Sequence, residues 1–334
     1  MKPMVSVVIL TYNQEEYISQ SVQSVLEQEC SYPYEIVIAD DCSTDRTRAI
    51  CRDYAARFPQ IRFIENQENK GLLRNYVDTL CSCEGKYIAD LAGDDFWTDK
   101  NKLQRQVAFL EANEDTVLIH SDWYKLNDRT REIVSSGNKR VSGKDSAEKI
   151  IESVFLQSEC PFVFLCTSTF RKDTFRTIYR KYPIFFDSGK WKCEDFQLTV
   201  LFALEGNFYY EDHITTAYRI SSGSISNTTH RLKQFEFNKS MLELMLLLVR
   251  TLDLRNKNIG LKMTERSQLL IFGALRTSEY ETIREVNAIF RENEVSVSFA
   301  WRTILKALQS RWLFSVASGG LQMVRSVRQK FTNN

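Results

Sequence analysis

Glycine is missing where a phosphate-cradling chain would need it: of the 12 glycines in 334 residues, the first is Gly71. The loop after the first apolar run, TYNQEEY, therefore has none. A dinucleotide fingerprint or a Walker loop requires glycines at that point so that backbone N–H groups can surround phosphate, and both are excluded as this chain's way of holding a nucleotide. Histidine is rarer still, since His120, His213 and His230 are the 3 present, and no spacing among them suits a metal site. No apolar stretch approaches the roughly 20 residues of a membrane span. The first apolar run, Val5 to Leu10, is short and followed at once by polar residues, so it reads as a strand and not as a signal peptide. The 8 cysteines are scattered without C-x-x-C spacing, which fits reduced thiols in a cytoplasmic protein. A net charge of +1 gives no global attraction to nucleic acid, and none is expected as a partner.

What is present suffices for a packed core: 43% of the residues are apolar and 26% charged. Apolar runs at Val5–Leu10, Glu35–Ala39, Ile61–Ile64 and Tyr87–Leu91 read as strands, and each is followed by a segment of helical spacing. Four strand-then-helix units in series imply an α/β protein with a doubly wound, mostly parallel sheet. Further strands are expected at Thr116–His120, Cys160–Phe170, Phe208–Tyr210 and Ile214–Tyr218, a long loop at Thr130–Ser146, and a helix opened by Cys193, Glu194 and Asp195. From about His230 the pattern is helical throughout. The expected division is 1–226 and 227–334.

Ligands of such sheets bind at the carboxyl ends of the strands. Here each end is polar: Thr11, Tyr12 and Asn13; Asp40 and Asp41; Asn69 to Asn75; and Asp94 and Asp95. In GKYIADLAGDDFW, Gly85 to Trp97, the buried run stops at two adjacent carboxylates. They suit a turn ahead of the next helix, and they also suit a cation. Phosphate held without a glycine cradle needs another source of positive charge, which a divalent cation at Asp94 or Asp95 would supply.

Taken as a set, VSVVILTYNQEEYISQSVQSVLEQ, YEIVIADDCSTDRT, ENKGLLRN, GKYIADLAGDDFWTDKNKLQRQV and, more loosely, CEDFQLTVLFALEGNFYY with YRISSGSIS resemble the family 2 glycosyltransferases. The likeness is close from residue 1 to about 112 and looser to 226. It implies a Rossmann-like GT-A fold, a nucleotide-diphosphate sugar donor, and a glycan or lipid-linked acceptor of bacterial surface polysaccharide. Thr11 and Tyr12 would line the nucleotide pocket beside Asn13. Asp40 or Asp41 would accept a hydrogen bond from the base, as a carboxylate can from a pyrimidine N–H. Arg74 and Asn75 match the donor-contacting segment. Asp94 and Asp95 match the end of a D-x-D-type motif that binds Mg2+ or Mn2+, with Ala92 in place of its first acid. The base that takes the acceptor proton would be Asp195, ahead of Glu194, in an inverting displacement. Arg219 would pair with phosphate; Ser221 stands where many relatives carry histidine. Ala92 and Ser221 also leave open a non-catalytic sugar-nucleotide or glycan-binding module.

Beyond Glu294 there is no acidic residue, while Arg302, Lys306, Arg311, Arg325, Arg328 and Lys330 alternate with Phe299, Trp301, Ile304, Leu305, Leu308, Trp312, Leu313 and Phe314. That profile fits an amphipathic helix on an anionic membrane surface, here through 295–334 at the inner face of the cell membrane. It equally fits a helix packed on the domain with a basic outer face.

Overall fold

The computed structural model describes residues 2–137, 139–157, 163–187, 189–220, 230–254, 256–293, 295 and 298–320. Ser221 and the remainder of YRISSGSIS beyond Ile220 lie outside them, as does 321–334. Two compact units divide the chain, Met1–Ser221 and Ser222–Asn334.

In the first unit strand and helix alternate: β1 (Val5–Thr11), α1 (Ile18–Leu26), β2 (Tyr34–Asp40), α2 (Thr47–Arg57), β3 (Ile61–Glu65), α3 (Leu72–Ser82), β4 (Tyr87–Ala92), β5 (Phe96–Trp97), α4 (Lys102–Ala112) and β6 (Thr116–Asn127). There follow β7 (Ile133–Ser135), β8 (Gly143–Asp145), α5 (Ala147–Leu156), β9 (Thr169–Arg171), α6 (Lys172–Lys181), α7 (Asp195–Ala203) and β10 (Asn207–Ile220). Strands buried on both faces need apolar residues at every position, which is why β1 and β2 appear in the sequence as unbroken runs. Val5, Val7 and Ile9 of β1, Ile36 and Ile38 of β2, and Tyr87, Ala89 and Leu91 of β4 enter one core with Val22 and Val25 of α1 and Leu103 and Val107 of α4.

The sheet order is β3-β2-β1-β4-β9-β6-β10-β5, with β7 on β6 and β8 on β10. The first four strands are parallel. Beyond β4 the sheet is mixed: β9 runs antiparallel to both β4 and β6, β10 parallel to β6, and β5 antiparallel to β10. The α/β architecture is therefore as expected, and some elements differ. Of the strand expected over 160–170, the described residues from 163 onward show Thr169–Arg171, preceded by a 3-10 turn at Leu165–Thr167, and 160–162 lie outside the described residues. There the Thr167 and Ser168 hydroxyls donate to the carbonyls of Phe164 and Leu165 at 2.7 and 2.8 Å, offering the backbone a turn in place of a ladder. The two short strands expected at 208–218 are one long strand whose register shifts between Glu211 and Ile214, a bulge that breaks the apolar pattern. The expected loop over 130–146 contains β7 and β8.

The second unit contains α8 (Arg231–Leu252), α9 (Lys257–Thr277), α10 (Tyr280–Glu292) and α11 (Phe299–Ala307). Asp253 in the left-handed region ends α8, and the Asn256 side chain caps α9 by accepting from Asn258 N at 2.8 Å.

Candidate active site

The carboxyl ends of β1, β2 and β4 form one polar edge. Thr11 closes β1 almost fully buried, with an Oγ1 that has no partner among the described residues. Tyr12 next to it is 47% exposed. Asn13 takes a positive φ of 52° and ties the β1 loop to the β2 loop: its N–H donates to Ser43 Oγ and its Oδ1 accepts from Thr44 N, both at 2.8 Å.

Asp40 and Asp41 are both buried and both already receive hydrogen bonds. Asp40 accepts from the N–H and hydroxyl of Ser43 and from Arg48 Nε, which fixes the start of α2. Asp41 faces the opposite loop, where Oδ1 accepts from Lys70 N at 2.9 Å and Asn66 Nδ2 at 3.2 Å and Oδ2 accepts from Gly71 N at 2.8 Å. Asn75 joins the same network, accepting from Asn66 at 2.8 Å and donating to the Ala39 carbonyl at 3.3 Å. Arg74 does not join it: its side chain is 56% exposed and paired with Asp78 at 2.9 Å on the surface of α3.

Gly93 forces the acidic turn tight against β1. A Cβ there would lie 2.4 Å from Gln14 Oε1 and 2.9 Å from the Leu10 carbonyl, so no other residue fits without backbone movement. Asp94 and Asp95 follow. Asp95 is 3% exposed, and Arg219 of β10 holds the turn from behind: its N–H donates to Asp95 Oδ1 and its Nε to the Asp94 carbonyl. The guanidinium continues to Asp128 at 3.0 Å and Gln20 at 2.8 Å. Burial raises the Asp94 carboxyl, and burial followed by the neighbouring Asp94 charge raises Asp95 well above the usual range.

Glu194 and Asp195 open α7. Asp195 is exposed by surface area and yet strongly desolvated by the protein around it, as a side chain on the wall of a concavity would be. Burial lifts Glu194 well up, with the charges of Asp195 and Asp90 adding to it, and burial also lifts Asp195. Burial first, and then the charges of Asp95, Cys166, Asp94 and Asp195, keep the Tyr218 hydroxyl protonated.

Asp90, which sequence reasoning passed over, lies within the same field. It sits in the middle of β4, 7% exposed, and accepts a hydrogen bond from the hydroxyl of buried Tyr76. Among the described residues, no lysine, arginine or histidine nitrogen comes within 4.0 Å of a carboxylate of Asp90, Asp94, Asp95, Glu194 or Asp195. Five desolvated acids without a paired cation make a region that favours positive charge from a ligand. Orphaned oxygens beside the turn, Thr11 Oγ1 and Gln14 Oε1, point the same way. The described residues contain no cluster of three His, Cys, Asp or Glu side chains placed to hold a metal. Asp94 and Asp95 are two adjacent carboxylates, fewer than such a cluster has, so a divalent cation held there would have to draw its remaining oxygens from ligand or water.

The model of the family described as Glycosyl transferase family 2 matches residues 6–182. An uncharacterised protein of Mycobacterium tuberculosis is 45% identical over 117 residues, 34% of either chain. The putative teichuronic acid biosynthesis glycosyltransferase TuaG of Bacillus subtilis is 41% identical over 110 residues, 33% of this chain and 42% of that one. The chain thus spans about a third of the length of the first curated relatives it matches. Among solved structures, S. aureus TarS 1–349 in complex with UDP-GlcNAc superposes with a TM-score of 0.60 at 18% identity, over 97% of this chain and 92% of that one, a likeness of fold.

Proposed function

The chain belongs to glycosyl transferase family 2, and from that premise we propose that it is an inverting glycosyltransferase that moves a sugar from a nucleotide-diphosphate sugar to a hydroxyl of a glycan or lipid-linked acceptor. The observation that carries the reading is the set of unpaired carboxylates from β4 and α7 gathered beside the polar strand ends. The nucleotide would lie across Thr11, Tyr12 and Asn13, with Asp41 or Asp40 toward the base, Asn75 behind them and Arg74 at the rim. Asp94 and Asp95 would hold Mg2+ or Mn2+, which when bound supplies charge to the departing nucleoside diphosphate. Arg219 keeps that turn in place from within the fold, through the Asp95 carboxylate and the Asp94 backbone carbonyl.

In the transfer itself the acceptor oxygen forms a bond to the anomeric carbon while the bond from that carbon to the phosphate oxygen breaks. The acceptor proton passes to the carboxylate of Asp195, with Glu194 beside it. A carboxylate raised by burial is a stronger base than one in water, which suits it to an alcohol proton. Attack opposite the leaving group by one base inverts the anomeric centre.

UDP-GlcNAc, the ligand named with TarS, is the first donor to test. Thermal shift with and without Mn2+ should reveal donor binding, because a ligand of the folded state raises its melting temperature. Transfer that survives in the wild type and collapses in Asp195→Asn would support the assignment; donor binding with no transfer to any glycan would favour a binding module.

A place at the inner face of the cell membrane is supported by the second unit. Residues 222–334 carry 17 lysines and arginines against 9 acids. On that basic unit Phe299 is 83% and Trp312 70% exposed. Aromatic side chains beside unbalanced positive charge suit an anionic lipid surface. No helix among the described residues is long and apolar enough to cross a membrane, so contact would be peripheral, through 295–334. Co-sedimentation with phosphatidylglycerol vesicles that is lost on removing 295–334 is the expected result, and equal binding by both forms would refute it.

A further inference from the structure

β6 and β10 run parallel and end together, where Leu126 pairs with Arg219 and Asn127 with Ile220. Asp128, the next residue of the chain, donates its N–H to the Ile220 carbonyl at 3.3 Å and so comes to lie beside Arg219. Both oxygens of its carboxylate are engaged: Oδ1 accepts from Arg219 Nη1 at 3.0 Å, and Oδ2 accepts from the Tyr17 hydroxyl at 2.8 Å. The Tyr17 ring, just ahead of α1, also lies against the guanidinium, 4.6 Å from ring centre to Cζ, and the Phe96 ring of β5 lies at 5.6 Å.

The Arg219 side chain is 3% exposed, and a buried guanidinium is costly without an opposite charge. Among the described residues Asp128 is the one acid whose carboxylate comes within 4.0 Å of it. Gln20, which accepts from Nη2 at 2.8 Å, brings an oxygen but no charge. Arg131, 3.8 Å from the same Asp128 carboxylate, is 75% exposed and competes little.

This pairing decides where the guanidinium does not go. Arg219 already stands at the acidic turn, with Nε 2.8 Å from the Asp94 carbonyl and its backbone N–H 2.8 Å from Asp95 Oδ1. Neither carboxylate of the turn forms an ion pair with it. We infer that Asp128 is a positioning residue for that turn: as the counter-ion of Arg219 it keeps the guanidinium off the Asp94 and Asp95 carboxylates and leaves them open to a divalent cation. The inference rests on reading those two acids as the cation's carboxylates. Without Asp128, the buried arginine would turn to the acids of the turn it touches and compete with the cation for them.

The test is calorimetric titration of Mn2+ into the full chain in the presence of UDP. Asp128→Asn should weaken Mn2+ binding about tenfold, the usual effect of an opposite charge brought against a carboxylate. Gln20→Glu, added to Asp128→Asn, places a carboxylate on the other side of the same guanidinium and should restore the affinity to within about twofold of the wild type. A purely structural Asp128 would lower the melting temperature, leave the Mn2+ affinity of the folded protein in place and gain nothing from a charge at position 20. Equal affinity in folded Asp128→Asn, or no restoration by Gln20→Glu, overturns the inference. If Asp128→Asn does not fold, the double variant decides: it should fold and bind Mn2+ as the wild type does, and failure of either overturns the inference. If the wild type binds no Mn2+, melting curves in a chelator decide. There Asp94→Asn should raise the melting temperature of the wild type, by relieving repulsion at the turn, and lower that of Asp128→Asn, by removing the new partner of Arg219. That reversal would uphold the counter-ion role and remove the cation reading instead; the same sign in both backgrounds would overturn the inference.

Discussion

The backbone N–H of Arg219 donates to Asp95 Oδ1 at 2.8 Å, so the acidic turn after β4 is held by the far end of β10. The side chain reinforces this, with Nε on the Asp94 carbonyl and the terminal nitrogens on Asp128 and Gln20. Arg219→Ala leaves the backbone bond and removes the other three, including an ion pair whose arginine is 3% exposed. The expected loss is about 2–3 kcal/mol in urea unfolding, below the range of a fully buried pair because Asp128 is partly solvated. Equal midpoints for mutant and wild type would mean that the turn is held by other contacts.

Asp95→Asn should separate stability from function. Removing one of two adjacent desolvated carboxylates relieves their repulsion, so the cation-free protein should melt higher at pH 8 than the wild type. The additional melting shift that Mn2+ gives to UDP in the wild type should vanish. A variant that melts lower without cation, or that still responds to Mn2+, contradicts the assignment of this pair to a cation.

The pH dependence of stability has a definite sign at Asp90. Its folded value, about 6, lies above the ordinary 3.8, so the fold binds more protons there than the unfolded chain does. That contribution is complete below the ordinary carboxylate range and is lost as pH rises through about 6. Buried His120 acts in the opposite sense: burial holds it near 3, so its protonation destabilises the fold as pH falls below 6.5. Comparing Asp90→Asn with the wild type cancels the histidine. The variant should gain relative stability by about 2 kcal/mol between pH 4 and pH 8 in urea titrations. A flat difference would show that Asp90 is not perturbed in the fold.

The first half of the sheet and its polar edge were legible in the sequence because strands buried on both faces leave continuous apolar runs, and the residues that interrupt them mark the strand ends. β9 was legible only in part: the strand expected at Cys160–Phe170 overlaps its first two residues, but three residues carry no periodicity to set its bounds, and its partners are strands distant in sequence. Asp90 was hidden inside an apolar run, and its significance depends on Tyr76, 14 residues away on another element. Arg219 could be read as a cation near the site, but its partners lie 91, 125 and 199 residues away along the chain. Asp40 and Asp41 could be read as site carboxylates; that they anchor different loops required the backbone donors of Ser43, Lys70 and Gly71.

Ala92→Asp would restore an acid where the D-x-D-type motif has one, and the structure gives the substitution two effects of opposite sign. The backbone at 92 is pinned, its carbonyl accepting from the Ser21 hydroxyl and from Asp95 N, each at 3.1 Å. A side chain there stays on the strand face of Asp90, and it would bring a third carboxylate to the edge where Asp94 and Asp95 already repel one another. Without cation the variant should therefore be less stable than the wild type above pH 6. With Mn2+ the added oxygen should tighten binding about tenfold, equivalent to about 1.4 kcal/mol. Calorimetric titration of Mn2+ in the presence of UDP, set beside melting curves in a chelator, reads both. Weaker Mn2+ binding in Ala92→Asp would place the cation away from this strand end and return Asp94 and Asp95 to the role of a buried turn.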